Sequence, residues 1–155
     1  MSANAPTLVT DRERRVTVEM TLRESEVEKL HAWMSSEVYE RAEKLRLARL
    51  EDCVQSLRFV VDTVRKHPSG GTQVLATVLA SLYNGIRFKV DLSDLRRLDP
   101  EYFQHALNVI RLCFEDHREP HTYFEKGGAI FEAIFQQYGL YDNVKAERER
   151  EEARS

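Results

Sequence analysis

The chain has 155 residues, 42% of them apolar and 32% charged, with a formal net charge of −3. That length suffices for one self-contained core, and no apolar run approaches the roughly 20 residues that a membrane span needs. A slightly acidic chain lacks the broad basic footprint of nucleic-acid binders, and with no apolar signal-peptide core in MSANAPTLVTDRERR a cytoplasmic protein is expected.

After Pro6 neither glycine nor proline recurs before Pro68, whereas Gly70, Gly71, Gly85, Pro100, Pro120, Gly127, Gly128 and Gly139 punctuate the remainder. This asymmetry predicts long helices first and short ones afterwards. Arg15 to Met20 alternates, with Val16, Val18 and Met20 on one face, and predicts a strand. Thr21 and Glu24 fit a capping box for a helix from Leu22, with Val27, Leu30 and either Trp33 or Met34 as its stripe. Ser35-Ser36 offers a break or a second cap. From about Glu37 to His67 the pattern predicts one long helix. Leu47, Leu50, Val54, Leu57, Val61 and Val64 form a heptad seam on it, while Val38, Ala42 and Leu45 sit on a rotated face. Packing inside the chain's own bundle is one use of that seam, and homodimerisation through those six residues is the other.

His67 to Thr72 is a loop, with Thr72 as the expected cap of a helix carrying Val74, Leu75, Val78, Leu79 and Leu82. Asn84-Gly85 ends it, since both residues tolerate the left-handed conformation. An extended piece from Arg87 to Val90 precedes a helical turn through Leu92, Leu95 and Leu98, started by Asp91 or Ser93. Asp99-Pro100 then opens a helix to about Asp116 that is expected to bury Phe103, Leu107, Ile110 and Phe114. After Pro120, a last core helix uses Ile130, Phe131, Ile134 and Phe135 and stops at Gly139. Beyond Tyr141 nine of the fourteen residues are charged, as in a solvated, frayed helix or tail. The expected fold is mainly α, a helical bundle with a long central helix and a small N-terminal β-strand or hairpin. It divides into an extension over 1–67, a compact helical domain over 68–141 and a charged tail over 142–155.

No catalytic, metal or cofactor signature emerges. Cys53 and Cys113 have no metal or redox spacing and read as small core residues. Ser69-Gly70-Gly71-Thr72 lacks the lysine and glycine spacing of a phosphate loop. His117 and His121 stand four apart in an acid-rich stretch, the one place for an uncharacterised enzyme site, but Pro120 between them disfavours a shared helical face. His31 and His105 are expected to be structural. Two basic groups, one between Arg41 and Lys66 and one comprising Arg87, Lys89, Arg96 and Arg97, are interleaved with acids. A strand, a helix, a Ser-Ser break and another helix resemble the ribbon-helix-helix repressors. That resemblance implies a DNA-binding regulator with Arg15, Thr17, Glu19 and Thr21 outward, yet a single arginine supports it.

Residues 73–140 are similar to an uncharacterised family of small domains carried on plasmids and integrative elements of proteobacteria. The resemblance rests on Leu82-Tyr83-Asn84-Gly85, Arg87-Phe88, Asp91-Leu92, Asp94-Leu95-Arg96, Leu98-Asp99, His121, Tyr123-Phe124, Gly127-Gly128 and Phe131-Glu132. It brings no catalytic residues with it. It implies a mobile-element setting and a non-enzymatic protein that binds a host complex, most concretely an anti-CRISPR-like inhibitor of a bacterial defence complex that acts on nucleic-acid-handling subunits. The candidate partner-binding residues are Thr17, Glu19, Tyr83, Arg87, Lys89, Arg96 and Arg97, in the strand and in the turn region from Tyr83 to Arg97.

Overall fold

The structure, a computed structural model, describes residues 19–154. Most of the strand expected over Arg15 to Met20, Thr17 included, lies outside the described residues. Glu19, Met20 and Thr21 have no regular structure, and no strand is present among the described residues.

Helix α1 spans Glu24–Met34. Its start is displaced from the expected Thr21 and Glu24 box, because the carboxylate that reaches back is Glu26, which accepts the Arg23 N–H at 2.8 Å. Both glutamates are available, and the one three residues after the last extended residue makes the bond. Ser36 then caps α2, Glu37–Lys66, by accepting the Tyr39 N–H at 3.2 Å. At 30 residues, α2 is about 45 Å long, and Arg65 and Lys66 complement the dipole of its last turn.

Helix α3, Gly70–Tyr83, is capped by Ser69 rather than Thr72. The two side chains exchange bonds with each other's backbone: Ser69 N–H donates to Thr72 Oγ1 at 2.7 Å and Thr72 N–H donates to Ser69 Oγ at 3.1 Å. Thr72 is therefore the third residue of the helix and fully buried. From Gly71 to Tyr83 no residue of α3 is exposed, the signature of a helix enclosed on every side. The centre of the bundle is therefore α3 and not the long helix. It stops because Asn84 is extended and its Oδ1 accepts the N–H groups of Ile86 and Arg87, each at 3.0 Å; no left-handed residue is used.

A 3-10 turn over Leu92–Arg97, capped by Asp91, leads into α4, Pro100–Asp116, capped by Asp99 with proline in its first turn. A second 3-10 turn, Pro120–Tyr123, precedes α5, Gly127–Gln137. Gly139, at φ +58, ends α5 in a Schellman motif: its N–H donates to Gln136 and the Leu140 N–H donates to Phe135, at 3.1 and 3.0 Å. The charged tail forms α6, Asn143–Arg154, with no buried residue.

The core does not divide near Pro68. Leu57, Val61 and Val64 of α2 pack in one cluster with Leu75 and Leu79 of α3, Val109 and Leu112 of α4, and Phe131 and Ile134 of α5. Half of the heptad seam is thus enclosed within the chain, while Leu50 and Val54 are half-buried and Leu47 is exposed. Helix α4 buries a different face from the expected one. Ala106, Val109 and Leu112 point inward, whereas Phe103, Leu107 and Phe114 are 38%, 38% and 74% exposed. The contact between α2 and α4 chooses the face. Ser56 of α2 is buried and meets His105 Nδ1 at 3.0 Å and Asn108 Nδ2 at 2.9 Å, while small Ala106 permits close approach. Turning the other face inward would leave the Ser56 hydroxyl unpaired in the interior.

Helix α5 begins where the chain passes close over itself. A Cβ added at Gly127 would lie 1.8 Å from the His121 carbonyl oxygen, whereas one at Gly128 meets nothing within 4 Å. Gly127→Ala is expected to cost at least about 2 kcal/mol of stability. Gly128→Ala should be neutral or stabilising by up to about 1 kcal/mol. Urea denaturation of the two variants side by side checks both signs.

Candidate functional site

Of the residues singled out from sequence, Tyr83 and Arg87 meet. The turn made by Asn84 folds the chain back after α3 and directs Arg87 across α5. There its NH1 and NH2 donate to the two Glu132 oxygens at 2.5 and 3.1 Å, and its Nε donates to Asp142 Oδ2 at 2.8 Å. All three guanidinium nitrogens are engaged, and the plane lies over the Phe88 ring, 4.7 Å from its centroid. The Arg87 carbonyl is held as well, accepting from the Asn143 backbone and side-chain nitrogens at 2.8 Å each. Asp142 uses its other oxygen to cap α6, accepting from Val144 and Lys145 at 3.1 Å.

Tyr83 stands beside the cluster, its hydroxyl and the Glu132 carboxylate acting on each other. Its ring stands edge-on to His121, centroids 4.8 Å apart, and to Phe135 at 5.3 Å. Burial pushes the Tyr83 hydroxyl up, and Glu132 adds to the effect. The Arg87 hydrogen bond draws the Glu132 carboxyl below its ordinary range against partial burial. At Asp142 burial works upward, but the Lys145 N–H and Arg87 outweigh it, so its carboxyl also lies low. Beside this knot a cleft of about 310 Å³ opens between Phe88, Gln136, Leu140 and Lys145. Two carboxylates on one cation leave the knot with a net negative charge that repels an anion, so the knot is a clamp joining the end of α3, the middle of α5 and the start of α6.

The remaining candidates do not gather into one patch. Lys89 folds back so that its ammonium donates to the Gly85 carbonyl. Arg96 Nε donates to the Ser93 carbonyl at 3.2 Å, and Arg97 lies 3.6 Å from Asp94. Glu19 is exposed ahead of α1, and Thr17 is outside the described residues. The His117 to His121 stretch is likewise taken up locally. His117 caps α4 in the left-handed conformation at φ 50, beside Phe114, whereas His121 packs on Tyr83 and Phe131. His121 Nδ1 is buried without a hydrogen bond, its nearest acid, Glu119, being 3.4 Å away in poor geometry. Tyr123 donates its hydroxyl to Asp116 and lies under the Arg118 guanidinium at 4.2 Å; burial, then Asp116, pushes that hydroxyl far up. Burial also raises the Cys113 thiol to about 11. Among the described residues no group of three His, Cys, Asp or Glu is arranged to hold a metal ion, and no helix is long and apolar enough to cross a membrane.

What remains open is apolar. The turn over Leu92–Arg97 and the start of α4 frame a cleft of about 490 Å³ lined by Leu92, Leu95, Leu98, Pro100 and Phe103, with Arg96 at its rim. Leu92 is 70% exposed, and the bare α4 face continues the surface through Leu107 to Phe114. Sequence periodicity marked Phe103, Leu107 and Phe114 as core and so missed them as surface, whereas Leu92 and Leu95 lie in the turn region expected to make contacts.

The family of unknown function DUF7673 matches over residues 54–139. The chain belongs to this family. The DUF7673 match begins 19 residues before the similarity expected from residue 73, one residue after Cys53, the first buried side chain of α2. It thus takes in the half of α2 that shares the core and leaves out α1, the first half of α2, and α6. No curated protein and no solved structure matches the chain.

The clamp predicts a pH signature. Glu132 and Asp142 are held low only in the folded protein, so on acidification the unfolded chain takes up protons first and the clamp's contribution fades as pH falls through and below the usual carboxylate range. Arg87→Met should cost about 2 kcal/mol at neutral pH, and that deficit should shrink toward zero in urea titrations at roughly pH 7, 5 and 3. A deficit independent of pH would show that Arg87 acts by packing alone.

Proposed function

We propose that this member of the family is a non-enzymatic protein-binding protein whose contact surface is the apolar cleft between the Leu92–Arg97 turn and α4. The observation that carries this reading is an unpaired apolar surface running from Leu92 across Phe103 to Phe114, at a place where the chain's own pattern calls for burial. Surfaces of this kind mark interaction sites. The reactive-looking groups elsewhere, His105, His121, Arg87 and Tyr123, are each engaged in holding helices or turns together, which supports binding over catalysis. The fitting partner is an amphipathic segment that presents apolar side chains to this floor.

A finer form of the reading follows from the resemblance to a family of mobile elements. The partner is then a subunit of a host defence complex such as CRISPR–Cas, and this chain is its inhibitor. A DNA-binding regulator is the alternative for the N-terminal segment. It rests on the strand expected there and gains only the α1, Ser-Ser, α2 succession from the described residues.

Leu92→Glu combined with Phe103→Glu alters exposed side chains and should leave the fold intact while weakening partner binding at least about tenfold. Parallel affinity purifications from a defence-positive host, followed by titration of the recovered partner, test this. A partner retained by the wild type and lost by the double variant supports the cleft, and a defence or nucleic-acid-handling subunit in that position supports the finer form. Identical recoveries from both proteins would refute the cleft.

A further inference from the structure

The open apolar features of α4 lie at opposite ends of one helix. Phe103, Leu107, Ile110 and Phe114 are spaced 4, 3 and 4, which gathers them within an arc of about 60°, on the side turned away from Ser56. No charged residue of α4 falls on that arc. At the C-terminal end Phe114 projects, 74% exposed. At the N-terminal end is the cleft of about 490 Å³ between Leu92, Leu95, Leu98, Pro100 and Phe103. Clefts of that size enclose whole small ligands, so this one admits a phenyl ring. The chain thus carries a knob and a hole, about 17 Å apart along the helix.

A knob and a hole on one helix are both answered by the same helix running the other way. A two-fold axis crossing α4 between Leu107 and Ile110 brings each Phe114 over the partner's cleft, and both contacts close at once with no end left for further addition. Parallel pairing would set knob on knob and leave both clefts empty. The antiparallel arrangement also opposes the two helix dipoles. Its size is sufficient: Leu92, Phe103, Leu107 and Phe114, at their observed exposures, offer roughly 450 Å² of apolar surface per chain. An interface about three-fifths apolar then covers close to the roughly 800 Å² per partner of a stable complex.

We propose that a second copy of this chain occupies this surface, α4 against α4 in the antiparallel sense, with Phe114 of each copy in the other's cleft. The inference rests on the reading of the cleft as a contact surface, and it names the occupant that the cleft has when no other protein is present. A different partner must displace it.

The test uses the full-length protein. Sedimentation equilibrium should give twice the 18.1 kDa chain mass. Phe114→Ser removes the knob and Leu92→Glu spoils the hole; both side chains are exposed, so each variant should keep the wild-type thermal transition while its dimer weakens at least about tenfold. Mixing the two variants is the decisive step. Neither homodimer keeps an intact knob-and-hole contact, but the mixed dimer keeps one, so the mixture should contain more dimer than the two variants held apart at the same total concentration. A mixture no more dimeric than its components overturns the proposal, as does a dimer unmoved by Phe114→Ser. A wild type that stays monomeric up to roughly 100 μM overturns the self-association alone, because docking of another protein in the cleft is judged by the paired affinity purifications.

Discussion

A helix with no exposed side chain is stable only when something covers every side, and from Gly71 to Tyr83 α3 is such a helix. That requirement organises the rest of the chain. The second half of α2, the inward face of α4, and α5 with its aromatic side chains supply the walls, and the turns after α3 return the chain to close the remaining gaps. It also explains where α2 begins to matter. Only from Cys53 onward does it meet α3 and α4, and the family match starts at the next residue. The matched region thus contains the cover that α3 needs, and nearly all that precedes it lies outside the core.

Polar interactions then fix how the walls are set. Ser56 with His105 and Asn108 chooses the face that α4 turns to α2, and Arg87 with Glu132 and Asp142 pins the exit of α3 to α5 and α6. Each is part-buried, so removing one partner strands the others in a poor solvent. The consequence for function is that the residues richest in chemistry are occupied. Among the described residues the fold leaves apolar surface open at the cleft beside α4 and at the N-terminal end, and the proposed binding role rests on such surface.

Much of this architecture is legible in the chain by itself. The 30-residue helix from Glu37, its Ser36 cap, the Asp99-Pro100 start of α4, and the Gly139 stop are local events, written in side chains a few residues from the backbone groups they satisfy. The displaced caps at Arg23 and Ser69 show the limit of such local inference, since neighbouring residues of similar chemistry compete for the same backbone donors. The candidate site was legible only in part. Tyr83 and Arg87 stood out, but Asp142 appeared as the start of a charged tail, because nothing in the spacing connects residues 55 positions apart. Lys89, Arg96 and Arg97 resembled a patch until each proved to bond within its own turn.

Helix content, the helix ends at Ser36, Asp99 and Gly139, and the lack of a membrane-spanning run were thus determined by the sequence alone, since they depend on periodicity and on bonds that close within a turn or two. Which face of each helix became interior was decided only by tertiary structure. Helix α4 carries two apolar faces, and its periodicity favours the one with Phe103, Leu107 and Phe114. The other is buried because polar partners on α2 and a small residue at the crossing make that contact the cheaper one. A side chain's burial is set by what lies opposite it, and that neighbour belongs to a different part of the chain.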